Sequence, residues 1–392
     1  MADDRLNDPI HIAPVDLARA LIRRPSVTPT DAGAMAVLEE ALAGLGFHCR
    51  RMRFGEIENL YARHGETGPN LCFAGHTDVV PVGDAEAWSA EPFEGEVRDG
   101  ALYGRGAVDM KGAVAAFAAA AARTLAAGEV KGSLSFLITG DEEGVAVDGT
   151  VKVVEALLAE GETVDHCIVG EPSSAVRLGD MIKVGRRGSM NAWITVEGVQ
   201  GHVAYPQRAA NPVPALIDLL ARLNARVLDE GYPEFQPSNL EVVDLRVGNP
   251  ATNVIPAKAE ARLNIRFNPS HTGAALTAWL EGECAAARAA FPKGKVTLKV
   301  AVSGEAFYTE PGPFVRLVAE AVQAATGETP ELSTSGGTSD ARFIRALCPV
   351  VEFGLVGATM HKVDEHAPVA EIDRLADAYG EIIRRYFAAL GA

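Results

Sequence analysis

Three stretches of the chain share one construction, in which a short unbroken apolar run passes through a glycine into histidine or carboxylate residues. They are NLCFAG ahead of His76, SLSFLITG ahead of Asp141, Glu142 and Glu143, and DHCIVG ahead of Glu171. Continuous apolar runs of this length suit strands buried on both faces, as in a parallel sheet, whereas a strand with one wet face alternates. Ala-rich stretches near 112–127 and 146–160 suit the crossover helices. AVAAFAAAAARTLAAG resembles low complexity, but alanine has the highest helix propensity and lets a helix lie close to a sheet. Upstream, VDLARALIRR and AGAMAVLEEALAGLG read as helices flanking a loop with Pro25 and Pro29, the second closed by Gly46. Open α/β sheets bind ligands at the carboxyl ends of their strands, so polar residues delivered there repeatedly converge on one site.

The texture changes between about 188 and 302. SMNAWITVEGV alternates like a half-exposed strand, and NLEVVDLRVG, ATNVIP, KAEARLNIRFN and KVTLKVAV also read as strands. PVPALIDLLARLNARVL and WLEGECAAARAAF read as helices. The pattern predicts an α/β catalytic domain with a mostly parallel sheet, built from 1–187 and 303–392, interrupted by an α+β two-layer sandwich at 188–302. A chain of 392 residues exceeds the size at which one core usually stops growing, which favours the division.

Composition narrows the function. Hydrophobic residues at 48% and charged residues at 22% are ordinary for a globular protein and exclude a disordered one. A formal charge of −16 opposes nucleic acid and anionic lipid as partners. MADDRLNDPIHIAP has neither a basic nor an apolar leader segment, and no run of about 18 apolar residues occurs anywhere, so a cytoplasmic protein is expected. Cys49, Cys72, Cys167, Cys284 and Cys348 are dispersed with no CxxC pair, which fits reduced thiols, with Cys72 and Cys167 as small core residues.

Each chemical motif has a bland alternative. His76 and Asp78 form H-x-D at a strand end, where the carboxylate could hold the imidazole's second nitrogen; a surface histidine is the alternative. Asp109 in LYGRGAVDMKGA follows a turn that Gly104 and Gly106 permit, and stands where a helix N-cap would. Asp141, Glu142 and Glu143 crowd three charges, which asks for a cation or for bathing solvent. One of two such neighbours could coordinate a metal while the other takes a proton from metal-bound water. His361 and His366 are not at the i, i+4 spacing of two ligands on one helix face, so one of them suffices. Two histidines with three carboxylates would suit a pair of zinc ions sharing one carboxylate.

The motifs GHTDVVPVG, YGRGAVDMKG, TGDEEG, VGEPS, RRGS, GHVAYP, SGGTSDARF and ATMHKVDEH together resemble the dinuclear-zinc aminoacylase and carboxypeptidase family, in its order and over most of the chain. The resemblance implies two zinc ions per subunit, with cobalt as an expected substitute. His76 and Glu171 would hold one ion, Glu143 and His361 the other, and Asp109 would bridge them. It further implies that Asp78 orients His76 and that Glu142 is the general base and acid. In this family the inserted domain forms a dimer interface and carries a histidine in G-H-x-x-x-P, matched by Gly201, His202 and Pro206. That histidine reaches the partner subunit's site and stabilises an oxyanion; taken alone, His202 reads as a turn residue.

Lys183, Arg186, Arg187, Ser189, Asn253 and Arg266 are solvated polar groups or a grip for several carboxylates. Within the family, SGGTSDARF favours a subfamily whose small-molecule substrate carries carboxylates on both its acyl and its amino-acid end. That resemblance assigns Lys183, Arg186, Ser189, Tyr205, Asn253, Arg266, Gly337 and Thr338 to the pocket. The rival readings are an acetylornithine deacetylase or carboxypeptidase of the same family and a catalytically inactive metabolite-binding protein.

Overall fold

A computed structural model describes residues 11–391; residues 1–10, which carry most of the reading against a leader, lie outside the described residues. The chain forms two compact units. One comprises the chain up to Val184, Thr309–Ser333 and the chain from Ser339; the other comprises Gly185–Tyr308 and Thr334–Thr338.

The first unit is organised by a mixed sheet. Its strands run in the order His48–Phe54, Ile57–His64, Ser133–Thr139, Asn70–His76, His166–Val169, Val350–Glu352, Met181–Lys183 and Glu331–Ser333. Asn70–His76 lies parallel to Ser133–Thr139 on one side and to His166–Val169 on the other. The three apolar runs therefore end side by side. Every residue of Asn70–His76 and Ser133–Thr139 is buried, as expected of strands covered on both faces. Antiparallel pairing enters with the hairpin His48–Phe54/Ile57–His64 and where Val350–Glu352 meets Met181–Lys183.

Helix Gly112–Ala126 is buried along most of its length and packs against Pro14–Ile22 and Val369–Leu390. Beneath the strand ends, Phe73 stacks on Phe117 with ring centroids 4.4 Å apart, and Phe136 and Tyr379 close the aromatic cluster. Two strand-end glycines follow from this packing. A side chain at Gly75 would collide with Met110, and one at Gly170 would collide with Phe73 and Met110. The later helix begins at Thr150 rather than near 146, because Asp141 holds the preceding loop by accepting from Val147 N (2.9 Å) and Asp148 N (3.1 Å).

The second unit is a two-layer sandwich. Its antiparallel sheet runs Asn239–Arg246, Lys258–Phe267, Gly188–Glu197, Lys295–Gly304. Helices Pro212–Ala225 and Gly273–Ala290 cover one face through Leu216, Leu219, Leu276 and Leu280 against Met190, Ile194 and Leu263. Gly188–Glu197 alternates buried and wetter positions over its second half, which is the period-two signal read from its sequence. ATNVIP contributes only the short strand Val254–Ile255, paired with Gly201–His202.

The boundaries fall at Val184/Gly185 and Tyr308/Thr309, not at 187/188 and 302/303, because Gly185–Arg186 pairs with Phe307–Tyr308. Thr334–Thr338 also joins this unit, held by Thr334 Oγ1 donating to Glu234 O and Arg186 Nη1 donating to Gly337 O. Among the described residues all five cysteines are free thiols, four of them buried, and no helix is long and apolar enough to cross a membrane.

Candidate metal centre

The strand ends bring His76, the Asp141–Glu143 turn and Glu171 together within the first unit, and two other segments complete the cluster. His76 is fully buried. Its Nδ1 bonds the backbone carbonyl of Asp78 (2.9 Å), which leaves Nε2 facing Asp109 Oδ1 at 3.1 Å and Glu171 Oε1 at 3.7 Å.

Asp78 acts differently from the expectation that its carboxylate holds the imidazole. Its nearest carboxylate oxygen is 3.6 Å from His76 Nδ1, while Oδ1 and Oδ2 accept from the backbone amides of Glu142 (3.3 Å) and Glu143 (3.0 Å). Two amides from the next strand end outcompete the imidazole, which turns to the carbonyl instead. Asp78 is thus a clamp on the Glu142–Glu143 turn.

Asp109 is not a helix N-cap. It and Met110 have non-helical backbone angles, and helix Gly112–Ala126 starts after Lys111 with no side-chain cap. Freed from capping, the carboxylate faces two imidazoles. Oδ1 lies 3.1 Å from His76 Nε2, and Oδ2 lies 3.3 Å from His361 Nε2. His361 Nε2 is also 2.8 Å from Glu143 Oε1. His366 sits elsewhere, on strand His366–Pro368, with its ring stacked on Tyr103 at 4.8 Å.

Five carboxylates and two imidazoles in so little space perturb one another strongly. Burial raises Asp78 to about 7, and burial followed by the charge of Glu171 raises Glu142 well above the usual carboxylate range. Burial would lower His76, but its hydrogen bond to Asp109 and the charges of Glu171 and Asp78 override it and lift the ring well above its ordinary value. The hydrogen bonds to Asp109 and Glu143 raise His361 to about 10. Burial alone would raise Asp109; its bonds to His361 and His76 instead carry it below the ordinary carboxylate value. The excess of negative charge favours retained protons on both histidines and on Asp78 and Glu142.

The donor set fits divalent cations in place of those protons. Ligand atoms of His76, Asp109 and Glu143 lie within 4.8 Å of one another, as do those of His76, Glu142 and Glu171. The second group brings Glu142, expected as a base, close enough to be a ligand.

Sequence reasoning missed Glu365 and Arg105. Glu365 is fully buried and Arg105 nearly so, and Glu365 Oε2 receives Arg105 Nη1 at 2.7 Å. Their separation of 260 residues leaves no local signature; the only available signal was an arginine inside the GRG turn.

Of the expected pocket residues, Lys183 belongs to the first unit, buried and donating to Ser333 Oγ at 3.4 Å. The others belong to the second. There Ser189 and Arg266 are register partners on neighbouring strands. Arg186 is buried against Gly337 O, in the loop that also holds Thr338. Tyr205 and Asn253 are exposed. Arg187 binds Pro237 O and Asn239 instead. His202 is exposed, and its Nδ1 accepts from Ala204 N at 3.0 Å. With Nδ1 accepting, Nε2 is the ring nitrogen that carries a hydrogen to donate.

Peptidase family M20/M25/M40 matches residues 72–385, and the chain belongs to that family. Solved structures agree in fold. An M20 family metallo-carboxypeptidase from Sulfolobus solfataricus superposes with a TM-score of 0.78 at 17% identity, covering 95% of this chain and 99% of its own. A dinuclear metal binding peptidase of Bacillus subtilis gives 0.71 at 17% identity, covering 96% and 98%. Within the family, curated relatives include the succinyl-diaminopimelate desuccinylases of Phenylobacterium zucineum and Caulobacter vibrioides. The first is 72% identical, covering 95% of this chain and 98% of its own; the second is 70% identical, covering 97% of each. This is the subfamily to which SGGTSDARF points.

Proposed function

We propose that this chain hydrolyses N-succinyl-LL-2,6-diaminopimelate to succinate and LL-2,6-diaminopimelate, a step in making lysine and meso-diaminopimelate. The names of relatives at 70 and 72% identity over nearly the whole chain support the substrate. The observation that carries the chemistry is Asp109, whose two oxygens each face a different histidine.

In this reading the cluster would take two divalent cations, zinc with cobalt as a substitute. His76 and Glu171 would hold one and Glu143 and His361 the other, with Asp109 shared between them. When bound, they polarise the amide carbonyl and acidify the attacking water. Glu142, whose basicity burial and Glu171 raise, takes the proton from that water and returns it to the departing amine. Asp78 keeps Glu142 and Glu143 in place through their backbone amides. His202 offers its Nε2–H to the developing oxyanion. Lys183, Arg186, Ser189, Tyr205, Asn253, Arg266, Gly337 and Thr338 receive the carboxylates and polar groups of the substrate. The enzyme is a homodimer in which His202 completes the partner's site, and it works in the cytoplasm, a placement that free thiols suit.

Replacing Glu142 with glutamine keeps the side chain's shape and removes the base. Glu142→Gln is expected to retain both cations while turnover of N-succinyl-diaminopimelate falls about a hundredfold to ten-thousandfold. Near-wild-type turnover would sink the assignment. Parallel assays with N-acetylornithine and a peptide ending in glutamate test the substrate, and a larger kcat/KM on either would replace it.

A further inference from the structure

A buried carboxylate must be compensated by hydrogen bonds and positive charge, and both carboxylate oxygens of Glu365 face one turn. Oε1 accepts from Val108 N (2.9 Å) and Asp109 N (3.1 Å), while Oε2 accepts from Gly106 N (3.0 Å) and Arg105 Nη1 (2.7 Å). The backbone carbonyl of Glu365 accepts from Gly104 N at 2.9 Å. Arg105 extends the network by donating to Lys362 O (3.2 Å) and Pro81 O (3.3 Å), and its guanidinium lies over Trp88. One ion pair thus joins the segment following His76, the turn of Asp109 and the loop of His361.

That loop needs an external hold. His361 and Asp364 are non-glycine residues at φ +60° and +56°, a left-handed conformation that costs energy and persists only where surrounding contacts impose it. Glu365 ends the loop and grips the amide of Asp109, whose Oδ2 lies 3.3 Å from His361 Nε2.

We infer that Glu365 and Arg105 are positioning residues that set the separation of Asp109 and His361 and thereby the affinity of the cation those two residues share. This rests on the metal reading above. In Glu365→Gln one oxygen becomes an NH2 group facing N–H donors, so the side-chain tether between the turn and the loop is weakened. The cation that His76 and Glu171 would hold also shares Asp109, but its contacts with those two residues are ones the substitution does not touch.

The test uses the full chain stripped of metal, titrated with Zn2+ against a competing chelator, with elemental analysis of bound zinc and thermal unfolding of the metal-free protein. Glu365→Gln is expected to bind the ion of Glu143 and His361 about ten- to a hundredfold less tightly, with the other ion weakened less. At saturating zinc, kcat falls and KM stays. Arg105→Lys keeps the charge but loses the fork reaching Lys362 and Pro81, and weakens the same ion to a smaller extent. Folded Glu365→Gln that binds both ions as the wild type does overturns the inference, as does an equal loss of both accompanied by a lowered melting temperature. If Glu365→Gln does not fold, Arg105→Lys decides by the same criteria. Wild-type protein that takes up fewer than two ions would overturn the metal reading instead.

Discussion

Asp78→Asn separates two roles for a residue beside a candidate ligand. If its carboxylate oriented His76, the substitution would chiefly weaken the ion held there. The structure gives the carboxylate to the amides of Glu142 and Glu143, at 3.3 and 3.0 Å, and gives His76 Nδ1 to a backbone carbonyl that asparagine retains. Asparagine keeps one acceptor and turns an NH2 group toward the other amide, leaving one donor unpaired in a buried place. Such a loss costs about 1–3 kcal/mol. Where it falls on the placement of Glu142 in the transition state, at about 1.4 kcal/mol per factor of ten, kcat drops roughly tenfold to a hundredfold. Steady-state kinetics on N-succinyl-diaminopimelate, with zinc content measured on the same samples, would read this. Normal kcat with loss of a single ion would refute the clamp.

Stability of the metal-free protein should fall as pH rises. His361 is raised from 6.5 to about 10 by its bonds to Asp109 and Glu143, so it contributes stability that is complete below pH 6.5 and lost on the way to about 10. Asp78, raised by burial from 3.8 to about 7, holds a proton in the folded state that the unfolded chain has released. Its contribution therefore also declines with rising pH, between those values. Apparent zinc affinity should climb over the same range as ligands lose their protons; a metal-free melting temperature that rises from pH 6.5 upward would contradict this. Mixed dimers of His202→Ala and Glu142→Gln chains should recover turnover, because one of their two sites then has both residues intact. Mixtures as inactive as their parents, despite subunit exchange seen by mass spectrometry, would rule out the crossing.

What could be read from sequence was local and periodic. Short, largely apolar runs before Gly75, Gly140 and Gly170 announce strands buried on both faces, and the residues just beyond them meet because those strands are neighbours. The alternation in Gly188–Glu197 announces a different layer. Asp109 misleads because a carboxylate before a helical stretch has the spacing of an N-cap, and only the non-helical turn at Asp109 and Met110 removes it from that duty. Asp78 misleads because proximity in sequence to His76 says nothing of the amides arriving from another strand. Arg105 and Glu365 have no periodic signal, since their pairing depends on how distant segments return to one turn. Thr334–Thr338 is likewise invisible as a member of the second unit, since the hydrogen bonds that attach it include ones to residues far upstream.

The way the second unit begins and ends has a bearing on how such proteins arise. Gly185–Arg186 and Phe307–Tyr308 run side by side, and immediately outside them Thr309 N donates to Val184 O at 2.7 Å. The surrounding chain therefore closes on itself at the point of entry, and a short turn joining 184 to 309 would leave its strand order unaltered. A module gained at such a seam can be lost, lengthened or exchanged in descent without rebuilding the strands that lead to His76 and Glu171. Thr334–Thr338 is the exception that would register the loss, as a loop left without its anchor.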